Sequence, residues 1–329
     1  MTDNQPKPSA GEKRVHSEMS SDNVAAMLST TQQIENIFVS QRVEDLDTLA
    51  SGKVTLHKDS ITLGADIQGI DNLKKYYQAF FKKYNYKHEV LCIAADEPSS
   101  VAFSFVADTA EPKDGVFTKL DDKETAPSRC LSIFMYTFNS DGKVNDIKFL
   151  RQPSKDEMAR KFVKSPNYSS IPKFVGAEFS DPKYWEPTAE NTKKLHAAAA
   201  AFNEIWKTGD ASIADKILDK DVTDYNLMFG GEPKTGAEQF KKMITGVFKI
   251  WSPDQVKCSI AVTSDSNKAF IYWASHGEQT DTHQENHFYG LNLLIFNEKS
   301  LVKEILGFRQ PLASERPQLL KADAQAAMT

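Results

Sequence analysis

The chain has 329 residues, of which 40% are hydrophobic and 26% are charged, and its net charge is −5 at pH 7. This balance is typical of a globular protein, and the length fits two domains that each bury a core. The negative charge without a basic cluster disfavours nucleic acid as a partner. No apolar run reaches the roughly 20 residues of a membrane-spanning helix, so we expect no membrane partner either.

Cysteine usage and the polar N-terminus both favour a cytoplasmic protein. Cys92, Cys130 and Cys258 form no CxxC pair, so we expect reduced thiols that pack as small core residues. The first 23 residues are polar and lack the apolar stretch of a secretory signal, which predicts a disordered tail over residues 1–23.

The first half of the chain predicts helices followed by strands. Apolar residues at helical spacing predict one broken or two short amphipathic helices between residues 24 and 49, and residues 54–61 predict a short strand. A long helix comes next, because apolar side chains recur at i, i+3, i+4, i+7, i+8 and i+11: Leu73, Tyr76, Tyr77, Phe80, Phe81 and Tyr84. Further strands follow at residues 90–95, 101–107, 129–138 and in a closing segment that ends on Arg151-Gln152-Pro153.

The second half repeats this order. Asn191 is a candidate helix N-cap, Gly209 ends that helix, and Asp210 caps a second short helix. The long helix then carries apolar side chains in the same six places: Phe240, Met243, Ile244, Val247, Phe248 and Trp251. Residues 135–153 and 293–311 share seven identities in nineteen positions, at a fixed offset of 158 residues. The chain is therefore a tandem repeat of one domain.

Helices first and strands afterwards predict an α+β fold in each half, with a curved antiparallel sheet wrapped on the long helix. We place the two domains at residues 24–153 and 191–316, with a C-terminal tail at 317–329. The segment between the domains, 154–190, is too rich in aromatic side chains for a free linker, so we expect it to pack on the domain surfaces.

Several segments of the second half resemble one protein superfamily in their order and spacing: residues 202–210 (FNEIWKTGD), Asp221-Val222, residues 231–236 (GEPKTG) and Phe296-Asn297. They are similar to the nuclear transport factor 2-like superfamily, nearest its SnoaL-like polyketide cyclase and ketosteroid isomerase branch. The resemblance covers residues 195–311 and, more weakly, 30–153. It implies two cone-shaped α+β barrels, each with an apolar pocket between the long helix and the concave sheet. Members often dimerise sheet to sheet, so the two halves are expected to form a pseudo-dimer.

The resemblance alone does not assign an activity, since the superfamily holds isomerases, cyclases, dehydratases, epoxide hydrolases and non-catalytic adaptors. Ketosteroid isomerase-like members use a Tyr on the first helix, an Asp on the first strand and an acid on the long strand. These positions read Phe202, Leu227 and Asn292 in the second copy, and Ile34, Ser60 and Phe134 in the first. Without a general base or an acidic oxyanion donor, that enolisation chemistry is not supported.

His57 and Asp59 are the catalytic candidates. They lie two residues apart on a predicted strand, hence on one face, beside the place where SnoaL-like members commonly carry His-Asp. If that face is concave, a His oriented by a carboxylate could transfer a proton. The alternative is an edge strand that shows both side chains to solvent.

The ligand-binding candidates are of three kinds. Tyr225, Asn226 and Asn292 are suited to hydrogen bonding with a ligand in the second copy. Arg151 and Arg309 could bind a carboxylate or an enolate through two hydrogen bonds, although a structural salt bridge at the cone mouth or between the domains is favoured. Apolar pocket walls are expected from Tyr76, Phe103 and Trp273.

We expect no metal and no cofactor. His276, His283 and His287 form the densest histidine cluster, but the H-x3-H spacing provides a ligand pair only on a helix, and His287 begins a predicted strand. Nothing resembles a P-loop, a dinucleotide-binding glycine run or a nucleophile elbow.

Two functions stay open. The first is a protein that binds an apolar small molecule with a carbonyl or carboxylate, with or without cofactor-free isomerase, cyclase or dehydratase activity. The second is a non-catalytic protein–protein interaction module of the same fold. In either case one copy could be active while the other only completes the pseudo-dimer, and further association into a homo-oligomer is left open.

Overall fold

The structure is a computed structural model that describes residues 21–57, 66–113, 129–153, 155–163, 188–227, 233–264, 266–280, 283–311 and 315–322. The first half contains, in order, α1 (Ser21–Ser40), a 3-10 turn (Val43–Asp45), α2 (Leu46–Leu49), β1 (Ala50–His57), β2 (Ile67–Gln68), α3 (Ile70–Lys83), β3 (Tyr84–Asp96), β4 (Val101–Pro112), β5 (Cys130–Phe138) and β6 (Val144–Arg151). This order confirms helices first and strands afterwards.

The second half has the same elements in the same order. After a short connecting helix, α4 (Lys155–Lys161), they are α5 (Ala189–Thr208), a 3-10 turn (Ala211–Ile213), α6 (Ala214–Ile217), β7 (Leu218–Asn226), β8 (Lys234–Thr235), α7 (Ala237–Ile250), β9 (Trp251–Val262), β10 (Lys268–Gln279), β11 (Gln284–Phe296) and β12 (Val302–Arg309), followed by α8 (Arg316–Leu319). Among the described residues, none of the helices combines the length and the apolar composition of a membrane span.

Local sequence signals explain where the helices begin and end. Gly209 ends α5 in the left-handed conformation with φ 74°, and Asp210 caps the next turn by accepting a hydrogen bond from the Ser212 backbone N–H. The N-cap of α5 is Thr188, whose hydroxyl accepts from the Asn191 backbone N–H, so the cap lies three residues before the predicted one. The difference arises because Thr and Asn both satisfy free N–H groups at a helix start.

Each half forms one six-stranded sheet, with strand orders β2-β1-β6-β5-β4-β3 and β8-β7-β12-β11-β10-β9. The sheets are mixed, because β1 pairs with β6 and β7 pairs with β12 in parallel, whereas the other pairs are antiparallel as expected. The parallel pair joins the first and the last long strand of each half, which brings the closing strand next to the first strand.

The helices of each half cover one face of its sheet. On α3 the buried side chains are Leu73, Tyr77 and Phe81, as the helical spacing predicted. On α7 the buried side chains are Phe240 and Ile244. The expected fold, two tandem α+β barrels with a helix against the concave face of each sheet, is confirmed. We call the two helix-covered interiors the first cone and the second cone.

The two sheets pack against each other through their other faces. A single buried apolar cluster holds residues from both halves, among them Phe103, Phe105 and Ile133 from the first and Phe270 and Leu293 from the second. At its centre the rings of Phe103 and Phe270 stack with centroids 5.4 Å apart and an interplanar angle of 8°. The chain is therefore a pseudo-dimer within one polypeptide.

The repeated Arg-Gln-Pro segments hold the two strand ends in the same way. Arg151 forms two hydrogen bonds with Glu157 at 2.6 and 2.7 Å, and Arg309 forms two with Glu315 at 2.6 Å each. Gln152 Oε1 accepts a hydrogen bond from the Leu131 backbone N–H at 2.9 Å. These contacts are the structural salt bridges that the sequence favoured for both arginines.

The segments that follow Glu157 and Glu315 contact each other. Phe162 forms an antiparallel bridge with Leu320, and the Lys321 backbone N–H donates to the Lys161 carbonyl at 2.8 Å. Met158, Phe162 and Leu320 are buried in the cluster between the sheets. The connecting segment thus adds apolar side chains to the contact between the two halves.

The stacked pair gives a direct test of the pseudo-dimer. Substitution of Phe103 by Ala should lower the free energy of unfolding by about 3–5 kcal/mol, because it leaves a cavity between the sheets. In a double-mutant cycle with Phe270→Ala, measured by urea unfolding, we expect a coupling of about 0.5–1.5 kcal/mol. Val39→Ala, at an exposed site on α1, is the control with little effect. Strict additivity of the two substitutions would show that the halves do not share this core.

Candidate functional site

The first cone contains a buried ionic network. His88 on β3 lies between two carboxylates, with Nε2 2.8 Å from Glu35 Oε2 on α1 and Nδ1 2.6 Å from Asp108 Oδ1 on β4. The side chains of Glu35 and His88 are completely buried. Burial opposes the charge on His88, but the hydrogen bonds to Asp108 and Glu35 outweigh it and raise the pKa of the imidazole to about 10. His88 is therefore an imidazolium at neutral pH.

Hydroxyl groups satisfy the remaining carboxylate oxygens. Ser104 and Tyr136 both donate to Glu35 Oε1, the latter at 2.7 Å. Ser132 donates to Asp108 Oδ2 at 3.2 Å. A buried carboxylate is tolerated only when such donors compensate for its lost hydration. The network is therefore stable as a packed, fully hydrogen-bonded unit.

Aromatic rings enclose this network. Phe38 stacks on the His88 ring at 5.0 Å, and Phe134 stacks on Phe149 at 5.2 Å. Phe134 and Phe149 lie opposite each other on β5 and β6, and both are buried. The first cone is thus filled by its own side chains where α1 meets the sheet.

The second cone does not carry the residues of this network. Strand registers and helix ends match Glu35, His88 and Asp108 to the side chains at three positions of the second half: Asn203, Val256 and Ser275. All three charges are therefore absent. Asn203 and Ser275 are buried, and neither side chain forms a hydrogen bond with another residue in the described part of the chain.

Two aromatic rings are also missing from the second cone. Asn292 lies opposite Gly307 on β11 and β12, in the register positions that Phe134 and Phe149 occupy in the first half. Asn292 is buried, and its amide has no hydrogen-bond partner among the residues that the structure describes. A Cβ added at Gly307 would lie 3.5 Å from Asn292 Oδ1, an ordinary contact, so a side chain could be accommodated there. The exchange removes two phenyl rings and introduces one amide.

Asp224 adds a carboxylate to the same interior. It lies opposite Ile305, and the corresponding pair in the first half is Leu56 and Ile147. Leu56, Ile147 and Ile305 all belong to the cores under the helices, so Asp224 faces the second cone. Burial raises the pKa of Asp224 to about 6, although the charge of Lys234 lowers it. Within the described residues its carboxylate accepts no hydrogen bond.

An aromatic wall continues from Asn292 along β11. Gly290 and Phe288 follow on the same face, and the Trp273 indole lies against Gly290, where an added Cβ would overlap it. Phe288 meets Trp273 edge-on at 5.4 Å and Trp251 at 5.1 Å. Trp273 and Phe288 are only partly buried. The second cone thus combines half-open aromatic rings with the polar groups Asn203, Asp224 and Asn292.

The ligand-binding residues expected from the sequence lie partly in the cones and partly outside them. Trp273 and Asn292 lie in the second cone, and Tyr76 packs partly buried in the first. Phe103 and Tyr225 are directed to the contact between the sheets instead, because strand alternation places them on the outer face. They therefore line neither cone.

Asn226 is the end of β7, opposite Gly307, and nothing further is described of its side chain. Arg151 and Arg309 are engaged by Glu157 and Glu315 at the strand ends. These ion pairs occupy both terminal nitrogens of each guanidinium, which leaves the anion-binding role expected for the arginines without support.

His57 does not face the first cone. Its neighbour Leu56 points inward, so His57 lies on the outer face, with Nδ1 2.6 Å from Asp66 Oδ2 and Nε2 2.5 Å from Asp146 Oδ1. The hydrogen bond to Asp146 raises the pKa of His57. Asp59 lies outside the described residues. The expected concave His-Asp site is therefore corrected, since the strand register turns His57 away from the interior.

The three clustered histidines do not assemble into a metal site. His276 and His287 lie opposite each other on β10 and β11, whereas His283 contacts Glu278. Within the described part of the chain, no group of three or more His, Cys, Asp or Glu side chains could hold a metal ion.

Comparison with known proteins concerns the fold. No model of a protein family matches the chain, and no curated protein does. Both halves have the same order of elements along the chain and the same order of strands in the sheet, with helices against the concave face. These features define the fold. Both halves have the order of elements and strands that the resemblance to the nuclear transport factor 2-like superfamily implies. The resemblance expected from the sequence is thereby confirmed at the level of architecture.

The chain is similar to several solved structures. A proposed polyketide cyclase from Xanthomonas campestris pv. campestris is 15% identical and covers 36% of this chain and 90% of its own, with a TM-score of 0.32. An LEH-like epoxide hydrolase from M. tuberculosis is 12% identical, with 36% and 84% covered and a TM-score of 0.31. A proposed SnoaL-like polyketide cyclase from Jannaschia sp. CCS1 is 11% identical, with 38% and 91% covered and a TM-score of 0.33. These likenesses carry no activity to this chain.

Sequence reasoning missed the ionic network and did not determine which face of the sheet Asp224 occupies. Glu35 stands beside Ile34 and close to Phe38 in the apolar stripe of α1, which was a usable signal. Its partners His88 and Asp108 are distant in sequence, and only the sheet register brings them together. Asp224 alternates with apolar residues of β7, and its orientation depends on the pairing with β12.

The network predicts a pH dependence of stability. The pKa of folded His88, about 10, lies above its ordinary value of 6.5, so folding favours the protonated form. This contribution to stability should be complete below about pH 6.5 and should be lost as pH rises towards 10. This pH dependence is tested by urea unfolding of the protein and of the His88→Gln variant, measured at about one-unit steps between pH 6 and pH 10.

The His88→Gln variant should be less stable at pH 6, and its loss of stability with rising pH should be shallower. Ser29→Ala, at a site on α1 outside this network, is the control and should retain the slope. Equal slopes in the protein and in His88→Gln would contradict a charged His88.

Proposed function

We propose that the second cone is the ligand-binding half of the chain and that the first cone is its filled structural partner. The observation that carries this proposal is the exchange of the stacked pair Phe134–Phe149 for Asn292–Gly307 at matching register positions. In the first cone the same place is closed by aromatic side chains. In the second it offers an amide that no described residue satisfies.

The surroundings of Asn292 define the ligand class. Trp273 and Phe288 provide a partly exposed apolar wall, which suits a flat or alicyclic apolar body. The Asn292 amide can donate to a carbonyl oxygen or accept from a hydroxyl group. Asp224 carries a charge above about pH 6, so it disfavours a ligand carboxylate in the same cone. We therefore infer a neutral apolar ligand with a carbonyl or hydroxyl group.

Asp224 also supports acid–base chemistry in this cone. A carboxyl group with a pKa of about 6 exchanges its proton readily near neutral pH. No cofactor is required for a proton transfer of this kind, as in an isomerisation or a dehydration. The carboxylate and the Asn292 amide would then act on the same ligand, the first as proton acceptor and the second as hydrogen-bond donor.

The alternative of a protein–protein interaction module finds less support. Such a module would use the outer face of its sheet, and here Phe103, Phe105, Phe270 and Leu293 bury that face between the two halves. The central part of that face is therefore covered by the other domain.

Filling the second cone tests the proposal. The double substitution Asn292→Phe with Gly307→Phe restores the two rings of the first cone, so it should weaken binding of Nile red, a neutral apolar dye with a carbonyl group, by tenfold or more. The fluorescence of the dye reports binding. The matched control is Phe149→Gly in the first cone, which should leave dye affinity unchanged.

Asn292→Leu is a milder second variant, in case the double substitution disturbs folding, and it should lose the polar contact with little change in volume. Equal dye affinity in a folded double variant would overturn the proposal, and so would loss of binding in Phe149→Gly alone.

Asp224 gives a separate test. Its folded pKa, about 6, is above its ordinary 3.8, so the carboxylate favours unfolding above that pH, and stability should fall as pH rises through 6. Asp224→Asn should therefore raise Tm at pH 7.5, with little gain at pH 3.5, and should weaken dye binding. Thermal unfolding at both pH values measures this. A lower Tm at pH 7.5 would show that the carboxylate is structural.

A further inference from the structure

A pocket lies on the outer face of the second sheet, away from the cone. Its volume is about 200 Å³, and its lining residues are Gln255, Lys257, Ala274, His276 and His287. They come from three neighbouring strands, β9, β10 and β11, so the pocket has a rigid base. Pockets for drug-sized ligands measure roughly 300–1,000 Å³, so this one suits a small group.

The strand register explains the shape of the pocket. Ala274 lies opposite Lys257 on one side, and in the next row His276 lies between Gln255 and His287. The small Ala274 side chain forms the floor, and the longer side chains form the rim. The rings of His276 and His287 have their centroids 6.2 Å apart. Two imidazoles, one ammonium and one amide therefore converge on one depression.

Asp254 orients one of the two imidazoles. It lies at the irregularity in β9 where the pairing shifts, and both of its carboxylate oxygens are 2.8 Å from His276 Nδ1. The contact uses Nδ1 and leaves Nε2 as the free ring nitrogen of His276. The nearby carboxylate of Glu278 is likewise engaged, by His283.

The matching positions of the first half carry different charged residues. There Glu89 occupies the position of Lys257, and Arg129 occupies that of His287. Glu89 and Arg129 form an ion pair across β4, so the cation has its counter-ion within the chain. In the second half Lys257 takes the place of this acid, so an ammonium group stands where the first half has a carboxylate. Lys257 forms no ion pair within the residues that the structure describes.

We propose that this pocket binds a phosphate group carried by a small molecule. A phosphate presents several strong acceptor oxygens, which match donors from the Lys257 ammonium, the Gln255 amide and the His287 ring. The phosphate replaces the carboxylate that Glu89 supplies in the first half. The site is on the opposite face of the sheet from the second cone, so it stands independently of the function proposed there.

The experiment is a titration of the full chain with inorganic phosphate, followed by NMR of the histidine ring C–H signals. We expect saturable shifts of His276 and His287 while His196 on α5 stays in place. Lys257→Glu copies the charge of the first half and should weaken phosphate binding by tenfold or more. Lys303→Glu makes the same charge change at an exposed site on β12 and should leave affinity unchanged.

Further variants and a second anion test the phosphate assignment. His287→Gln should weaken binding while the fold is retained, and the cone-filling variant Asn292→Phe/Gly307→Phe should bind phosphate normally. Titration with acetate distinguishes the two anion classes, and tighter binding of acetate would overturn the phosphate assignment. Uniform shifts of all histidines, or unchanged affinity in Lys257→Glu, would show that the pocket is not a phosphate site.

Discussion

The packing of two sheets face to face is the constraint on which the rest of the structure depends. Phe103 and Phe270 stack at the centre of an apolar cluster that neither half could bury alone. Because this contact takes the outer faces, a ligand can reach only the cones under the helices or the margins of the sheets. The Arg-Glu pairs at the two closing strands, and the bridge between Phe162 and Leu320, hold the edge of the same contact.

Within this frame the two cones have diverged in opposite directions. The interior of the first cone holds an ionic network, in which Glu35, His88 and Asp108 compensate one another's charge among aromatic rings. A buried ion pair of this kind is not intrinsically stabilising, but removal of one partner is costly, so the network acts as a unit. The second cone keeps isolated polar groups instead. Asp224 is costly to bury and has no compensating donor among the described residues, which supports the ligand-binding role that we propose for this cone.

Because the two halves repeat one fold, their residues can be compared position by position. Leu56 and Asp224, or Glu89 and Lys257, occupy matching register positions on the same scaffold, so their difference is not explained by the fold. Where both copies agree, as in the two Arg-Gln-Pro segments, the residues bind the chain to itself. At two of the positions where they differ in charge, the second half carries a charged group without a partner among the described residues: Asp224 and Lys257. Asp224 lies in the second cone, and Lys257 lines the outer pocket.

The sequence by itself determined the fold, because it depends on periodicity: Leu73, Tyr77 and Phe81 predicted the buried face of α3, and the repeated closing strand predicted two copies. It also predicted that Asn292 and Trp273 belong to a site. Only the tertiary structure decided which face each strand residue occupies. A shift of one residue reverses every side chain of a strand, and the bulges in β3 and β9 are invisible in composition. For this reason His57 and Tyr225 lie outside the cones, while Glu35, His88 and Asp108, far apart in the chain, meet inside one.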